Sequence, residues 1–249
     1  VWSRRIALWA AILPVAAVVT WDAPQLTAAT PAPPAAEHRW PPVKRAAAAP
    51  AVVTRSAWGA DEDLRHEAVT YTGPARAVFV HHTSHPDDYD CADVPEMLRG
   101  MQADHVHRMG WDDLGYNFVV DKCGKIYEGR SGGLDRFVLG AHTTGFNMDS
   151  VGIAALGDFG DAGDVPAALV TAIARIAAWK LRPGTDPRGR VEMVSTNDDS
   201  RVPEGDPAEL HVVSGHRDIV QTHCPGDALH AELPAIRAKA AALRISAGR

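Results

Sequence analysis

Ala77-Val78-Phe79-Val80-His81-His82-Thr83 is the stretch on which the fold turns. A short apolar run ending on two histidines reads as a largely buried strand. Side chains alternate along a strand, so His81 shares a face with Ala77 and Phe79, and His82 shares one with Val80. Strand ends in α/β sheets commonly present functional groups at an open edge. Outward from this strand, Val94, Met97, Leu98 and Met101 recur at helical spacing, and Gly110 stops that helix. Residues 116–120 and 125–128 flank Asp121-Lys122-Cys123-Gly124, a hairpin turn. Residues 151–156 form a second buried strand. Leu169, Ile173, Ile176 and Lys180 mark one side of another helix, ended by Pro183-Gly184. A polar excursion over residues 188–209, readable equally as a hairpin lid or as a plain surface insertion, leads into a strand at 210–213. Leu233, Ile236, Ala240 and Leu243 give a last helix. Strands and helices in this mixed order imply an α/β domain with helices packed on a central sheet.

The chain of 249 residues suits one domain with extensions, or two very small ones. Its net charge is −6, and no basic run interleaves with aromatics, which argues against nucleic acid as a partner. At the N-terminus, Arg4 and Arg5 precede an apolar stretch from Ile6 to about Trp21, and small residues follow at Ala28 and Ala29. Residues 1–29 therefore read as a signal peptide that is cleaved. Pro14 interrupts the stretch, which is short for a full membrane span, so a retained anchor is the weaker reading. Residues 30–51 are mostly alanine and proline, a composition that cannot bury a core and reads as a disordered linker. The folded domain occupies 52–249, with no internal repeat. The mature protein is expected to be secreted, extracellular or at a cell wall, monomeric, and without stable membrane insertion. Three cysteines in an exported chain suggest one disulfide and one special thiol. Cys91 and Cys123 lie in loops and are the expected pair, leaving Cys224 for another task.

Three places carry chemistry: His81 at the end of the first strand, Ser214-Gly215-His216-Arg217-Asp218 after a later one, and Cys224 within loop reach of His216. Two histidines and a thiolate make a three-ligand zinc site whose fourth position is open to water, the arrangement of a catalytic metal. Spacing alone leaves this level with satisfied core or loop histidines, and His85, His211 and His223 are rival ligands.

Several motifs in order make a more specific pattern. Arg55-Ser56-Ala57-Trp58-Gly59-Ala60, Val78-Phe79-Val80-His81-His82-Thr83, Gly110-Trp111-Asp112-Asp113-Leu114-Gly115-Tyr116-Asn117-Phe118, Tyr127-Glu128-Gly129-Arg130, Gly140-Ala141-His142, Gly215-His216-Arg217-Asp218 and Thr222-His223-Cys224-Pro225-Gly226 span roughly residues 52 to 240. This series resembles the peptidoglycan recognition proteins and the wider type 2 N-acetylmuramoyl-L-alanine amidases. The resemblance implies a central mixed β-sheet flanked by helices. It assigns His81, His216 and Cys224 as zinc ligands, with His82 on a non-ligand position. Tyr116 matches a tyrosine beside the metal-bound water, and Thr222 stands where relatives carry lysine or threonine near the oxyanion. Thr83, His105, Arg130, His142 and Asn147 match substrate-groove positions. For His105, a packed core histidine is an equal reading; for Arg130, a structural ion pair is; Trp111 reads as packing before sugar platform. The resemblance also keeps the Cys91–Cys123 pairing, which departs from animal members and would staple two walls of the site.

The implied reaction is hydrolysis of the amide joining the lactyl group of N-acetylmuramic acid to L-alanine in peptidoglycan. Zinc polarises such a carbonyl and lowers the pKa of bound water from about 16 toward 7. The alternative is a binding module that recognises peptidoglycan without cutting it. Such members typically lack the ligand cysteine, which is present here as Cys224. Stem preference, set by family members around residues 131–139, stays open.

Overall fold

The computed structural model describes residues 45–160 and 164–247. The segment read as a signal peptide and residues 30–44 of the linker lie outside the described residues. Within 45–51, the guanidinium of Arg45 lies 4.4 Å from the centroid of the Phe137 ring and donates to the carbonyl of Asp135.

Five strands form the central sheet: β1 (Ala77–His82), β2 (Phe118–Val120), β3 (Ile126–Glu128), β4 (Ser150–Ala155) and β7 (Val213–Gly215), in the order β3-β2-β4-β1-β7. Strands β1, β2, β4 and β7 pair in parallel and β3 runs antiparallel to β2, so the sheet is mixed as expected. The predicted strand β1 has the bounds its apolar run suggested. The central position of β1, with parallel neighbours on both sides, requires its first five residues to be buried, and they are.

One face packs on α3 (Ala167–Lys180) and α5 (Leu233–Ala247), where Val78, Val80 and Ile153 meet Ile173, Ile176, Leu233 and Ile236. Burial of each such side chain contributes about 1.5–3 kcal/mol. The opposite face is covered by α1 (Arg55–Trp58), α2 (Val94–His107) and a hairpin of β5 (Arg190–Val194) and β6 (Pro207–His211). In α2 the buried stripe runs Val94, Leu98, Met101, His105, the helical spacing read from the sequence. Helix α1 was not read as a helix. At four residues it is too short to show periodicity, and it is held by the Thr54 N-cap and by Gly59 at φ +77°. A short helix α4 (Asp227–Ala231) precedes α5.

One expectation changes. The strand read at 210–213 belongs to two sheets: β6 ends at His211 in the hairpin, Val212 turns the corner, and β7 joins β1. An unbroken apolar spacing cannot reveal that change of partner. The 188–209 excursion contains a hairpin that packs on the core. Met193, Ala208 and Leu210 of the hairpin pack on Ala77, Phe79, Phe146 and Ile219, and its far loop bonds to Gly145 and Ile219. Residues Cys91 and Cys123 form a disulfide, joining the loop after β1 to the turn between β2 and β3. Among the described residues no helix is long and apolar enough to cross a membrane.

Candidate active site

The parallel register decides where the histidines meet. Val80 lies opposite Gly215, so the next residues outward at that edge are His81 and His216. His81, one residue before the end of β1, has 1% of its surface exposed, and His216 begins the 3-10 turn His216–Asp218 that follows β7. Their ring centroids are 4.4 Å apart. Cys224 closes the group: its Sγ is 3.7 Å from His81 Nδ1, and ligand atoms of His81, His216 and Cys224 all lie within 4.8 Å of one another. Cys224 is a free, buried thiol.

The loop from His216 to Cys224 carries two of the three donors and is clipped shut by Arg217. Its backbone N–H donates to the Cys224 carbonyl (2.9 Å) and its guanidinium to the His223 carbonyl (2.6 Å). Asp218 accepts from the Gly215 N–H at 2.8 Å and pairs with His230 at 2.7 Å, fixing the turn at its start. Sequence reading quoted Arg217 and Asp218 within a motif but gave them no role. Their work is done with backbone groups and side chains several residues away, which no spacing pattern marks.

Electrostatics favour metal-competent histidines. Burial, then the neighbouring His216, holds His81 well below the ordinary histidine range. Burial also brings His216 down to about 4. Both imidazoles are therefore neutral near pH 7, the form in which a histidine ligates a metal. Burial pushes the Cys224 thiol up to about 12, so a cation must displace its proton for the sulfur to ligate. Two neutral imidazoles and one thiol with a displaceable proton, with ligand atoms all within 4.8 Å of one another, fit the N and S donor preference of zinc. Cys224 also borders a cleft of about 740 Å³ with His82, Asp158, Arg217, Thr222 and His223, a lining that includes neither His81 nor His216.

Tyr116 stands beside the donors, its ring 5.3 Å from that of His81. Burial, then Cys224, raises its phenol above the ordinary value and keeps it protonated. Thr222 shares the Cys224 loop, and its Oγ1 accepts from the Cys224 N–H at 3.2 Å, which leaves its own proton free to donate. His82 points to the other face, beside Asp158 at 3.4 Å, in keeping with a non-ligand.

The five residues read as substrate contacts are placed less uniformly. Thr83 Oγ1 accepts from the Gly157 N–H at 3.1 Å at the end of β1. His105 is buried beneath Trp111 and Tyr116, with ring centroids at 4.7 and 5.8 Å, and its Nδ1 accepts from the Gly115 N–H. It is thus both a packed, hydrogen-bonded histidine and part of the floor under Tyr116. Arg130 pairs with Asp112 at 3.3 Å and lines a cavity of about 20 Å³ with Asn117, Glu128 and Lys180. His142 is only 6% exposed, 5.3 Å from the His81 ring. It occupies a slot made by Gly140 and Gly152, at each of which a Cβ would fall within 2.4 Å of the imidazole. Asn147 spends its Oδ1 on the backbone N–H groups of His142 and Thr143. His142 thus lies beside His81, and Asn147 holds the backbone of the turn that carries it.

Comparison with known proteins gives a consistent picture. The sequence pattern of the N-acetylmuramoyl-L-alanine amidase family matches residues 71–227. The chain is 34% identical over 183 residues to a human N-acetylmuramoyl-L-alanine amidase, a match that covers 72% of this chain and 27% of the relative. It is 32% identical over 183 residues to peptidoglycan-recognition protein LB of Drosophila melanogaster, covering 73% of this chain and 67% of that one. Among solved structures, a tyrosine-to-phenylalanine mutant of Drosophila PGRP-LB in complex with tracheal cytotoxin superposes with a TM-score of 0.56 at 28% identity, over 74% of this chain and 93% of that chain. The chain thus spans about a quarter of the human relative's length and two thirds of the insect one's.

Proposed function

Since the chain belongs to the N-acetylmuramoyl-L-alanine amidase family, which includes the peptidoglycan-recognition proteins, we propose that it is a secreted, zinc-dependent amidase. Its substrate is peptidoglycan, cut at the amide between the lactyl group of N-acetylmuramic acid and L-alanine. The observation that carries the proposal is the convergence of His81, His216 and Cys224 at the open edge of the sheet, with Tyr116 alongside. A free buried thiol against two neutral histidines supports a metal site and favours the amidase over recognition alone.

In this reading His81, His216 and Cys224 hold zinc, which when bound supplies Lewis-acid polarisation of the carbonyl and acidifies water. The remaining work falls to the chain's own groups. Tyr116, kept protonated by burial, donates to the oxygen on which negative charge develops. Removing one such donor typically costs on the order of 100-fold or more in rate. Thr222 is a second, neutral donor at the cleft, and so helps by hydrogen bonding without a full positive charge. Thr83, His105, Arg130, His142 and Asn147 are the proposed contacts to the glycan-peptide, and His105 also supports Tyr116 from below.

The test compares the domain with Cys224→Ala for zinc content and for release of peptide stems from purified peptidoglycan. About one zinc per chain and stems bearing an L-alanine N-terminus in the parent, with neither in the variant, support the amidase. A parent that binds the wall and releases nothing with zinc supplied is a recognition module.

A further inference from the structure

Behind His81 lies a residue that no motif singled out. Thr143 has no exposed surface. Its Oγ1 stands 3.3 Å from His81 Nε2 and 3.0 Å from His142 Nδ1, so one hydroxyl links the two rings. We propose that Thr143 is the positioning residue for His81: it fixes the tautomer and ring orientation that leave Nδ1 free to ligate the metal. This rests on the metal-site reading above.

The proton assignment follows from which atom faces the site. Nδ1 of His81 is the nitrogen turned toward Cys224 Sγ, at 3.7 Å. A neutral imidazole ligating through Nδ1 must carry its proton on Nε2. That N–H then donates to Thr143 Oγ1, whose own proton donates to His142 Nδ1. His142 in turn keeps its proton on Nε2, a buried atom with no hydrogen-bond partner. The slot between Gly140 and Gly152 holds the His142 ring in the orientation that presents Nδ1 to the hydroxyl.

The turn that carries the hydroxyl is itself held on several sides. The N–H groups of His142 and Thr143 both donate to Asn147 Oδ1, at 2.9 and 2.8 Å, and the Phe146 N–H donates to the Thr143 carbonyl at 2.9 Å. The hairpin braces this turn from outside: the Thr196 N–H donates to the Gly145 carbonyl at 2.9 Å. A continuous set of contacts therefore runs from the β5–β6 hairpin, through the 142–147 turn, to the back of His81. This gives the 188–209 excursion a mechanical purpose in the site that its polar composition concealed.

Loss of a hydrogen-bond partner behind a metal-ligating histidine typically weakens metal binding about 10- to 100-fold. The experiment titrates zinc into the full chain against a chromophoric chelator, for the parent, Thr143→Val and Thr143→Ser. It also reads the His81 tautomer in the metal-free parent by long-range proton–nitrogen NMR. The expected result is an affinity about 10- to 100-fold weaker in Thr143→Val, recovery to within a few-fold in Thr143→Ser, and a proton on His81 Nε2 in the parent. Parent-like zinc affinity in a folded Thr143→Val, or a parent His81 protonated on Nδ1, overturns the proposal. The tautomer measurement needs neither zinc nor a folded variant, so it decides the role of Thr143 even where Thr143→Val does not fold. A parent that takes up no zinc while showing the Nε2 proton sinks the metal reading and leaves the hydrogen-bond assignment standing.

Discussion

On one face of the central sheet, Val78, Val80, Val151 and Ile153 meet Ile173, Ile176 and Ile236, all apolar and none more than 3% exposed. On the other, Phe79 and Ala154 share their side with His81, and Arg55, Gln102, His105, Asp113, His142 and Thr143 are buried around them. Arg55 pairs with Asp113 at 3.2 Å, Gln102 donates to the same carboxylate, and backbone groups of Asp61, Gly115 and Ser131 meet Gln102, His105 and Asp113 in turn. The first face stabilises by excluding water, a non-directional effect that tolerates substitution of like for like. The second holds groups at fixed distances, where a lost partner leaves a buried polar atom unmet. One sheet thus separates what keeps the chain folded from what the site requires.

Substitutions can break that separation. The largest effect is expected from Cys224→Ala, which should abolish release of peptide stems while leaving the melting temperature of the metal-free protein within a few degrees of the parent. A large fall in that melting temperature would show that the site also carries the fold. Ile173→Ala, on the apolar face, should do the reverse. It should cost about 2–5 kcal/mol in urea unfolding, with kcat unchanged in the folded fraction. Tyr116→Phe should slow the reaction on the order of 100-fold with zinc content unaltered; unchanged turnover would remove Tyr116 from the proposed chemistry.

The smallest effect sharpens the comparison through its one exception. Lys180 is a buried amine at the edge of the apolar face, donating to the carbonyls of Leu134 and Arg136 with its charge near the rings of Phe118, Phe137 and Trp179. Burial, then Arg45, lowers its pKa from 10.5 to about 7. Between those values the unfolded chain binds the proton and the folded chain does not, so stability should rise with pH across that window and level off below it. Urea midpoints at about pH 7 and about pH 10 should show the rise in the parent and a smaller one in Lys180→Met. Equal slopes would assign the rise to other groups.

How much of this was legible beforehand follows the same division. The apolar face could be read from periodicity: β1 and the stripe through Leu169, Ile173 and Ile176 announce themselves because burial repeats along the chain. His81, His216, Cys224 and Tyr116 were legible as a motif series, and the structure brings them together. Thr143 was not, because its partner His81 lies 62 residues away and a lone threonine has no pattern of its own. The same holds for Arg55 with Asp113, 58 residues apart. For His142 and Asn147 resemblance identifies a position at the groove, and the direction of each side chain is set by local packing such as the Gly140 and Gly152 slot. The division of residues 207–215 between two sheets was invisible for a related reason, since an apolar strand does not say which neighbour it will pair with.

The Cys91–Cys123 bridge has a consequence in mechanics. It closes a segment with a sequence separation of 32 that contains the whole of α2. A chain pulled from its two ends cannot pay out that segment while the bond is intact. Extended backbone spans about 3.3–3.6 Å per residue, so roughly 110 Å of contour length stays locked. Force applied to the ends would pass through the covalent bridge and bypass α2. Under tension, the wall of the site that α2 forms would be the part of the molecule shielded from load.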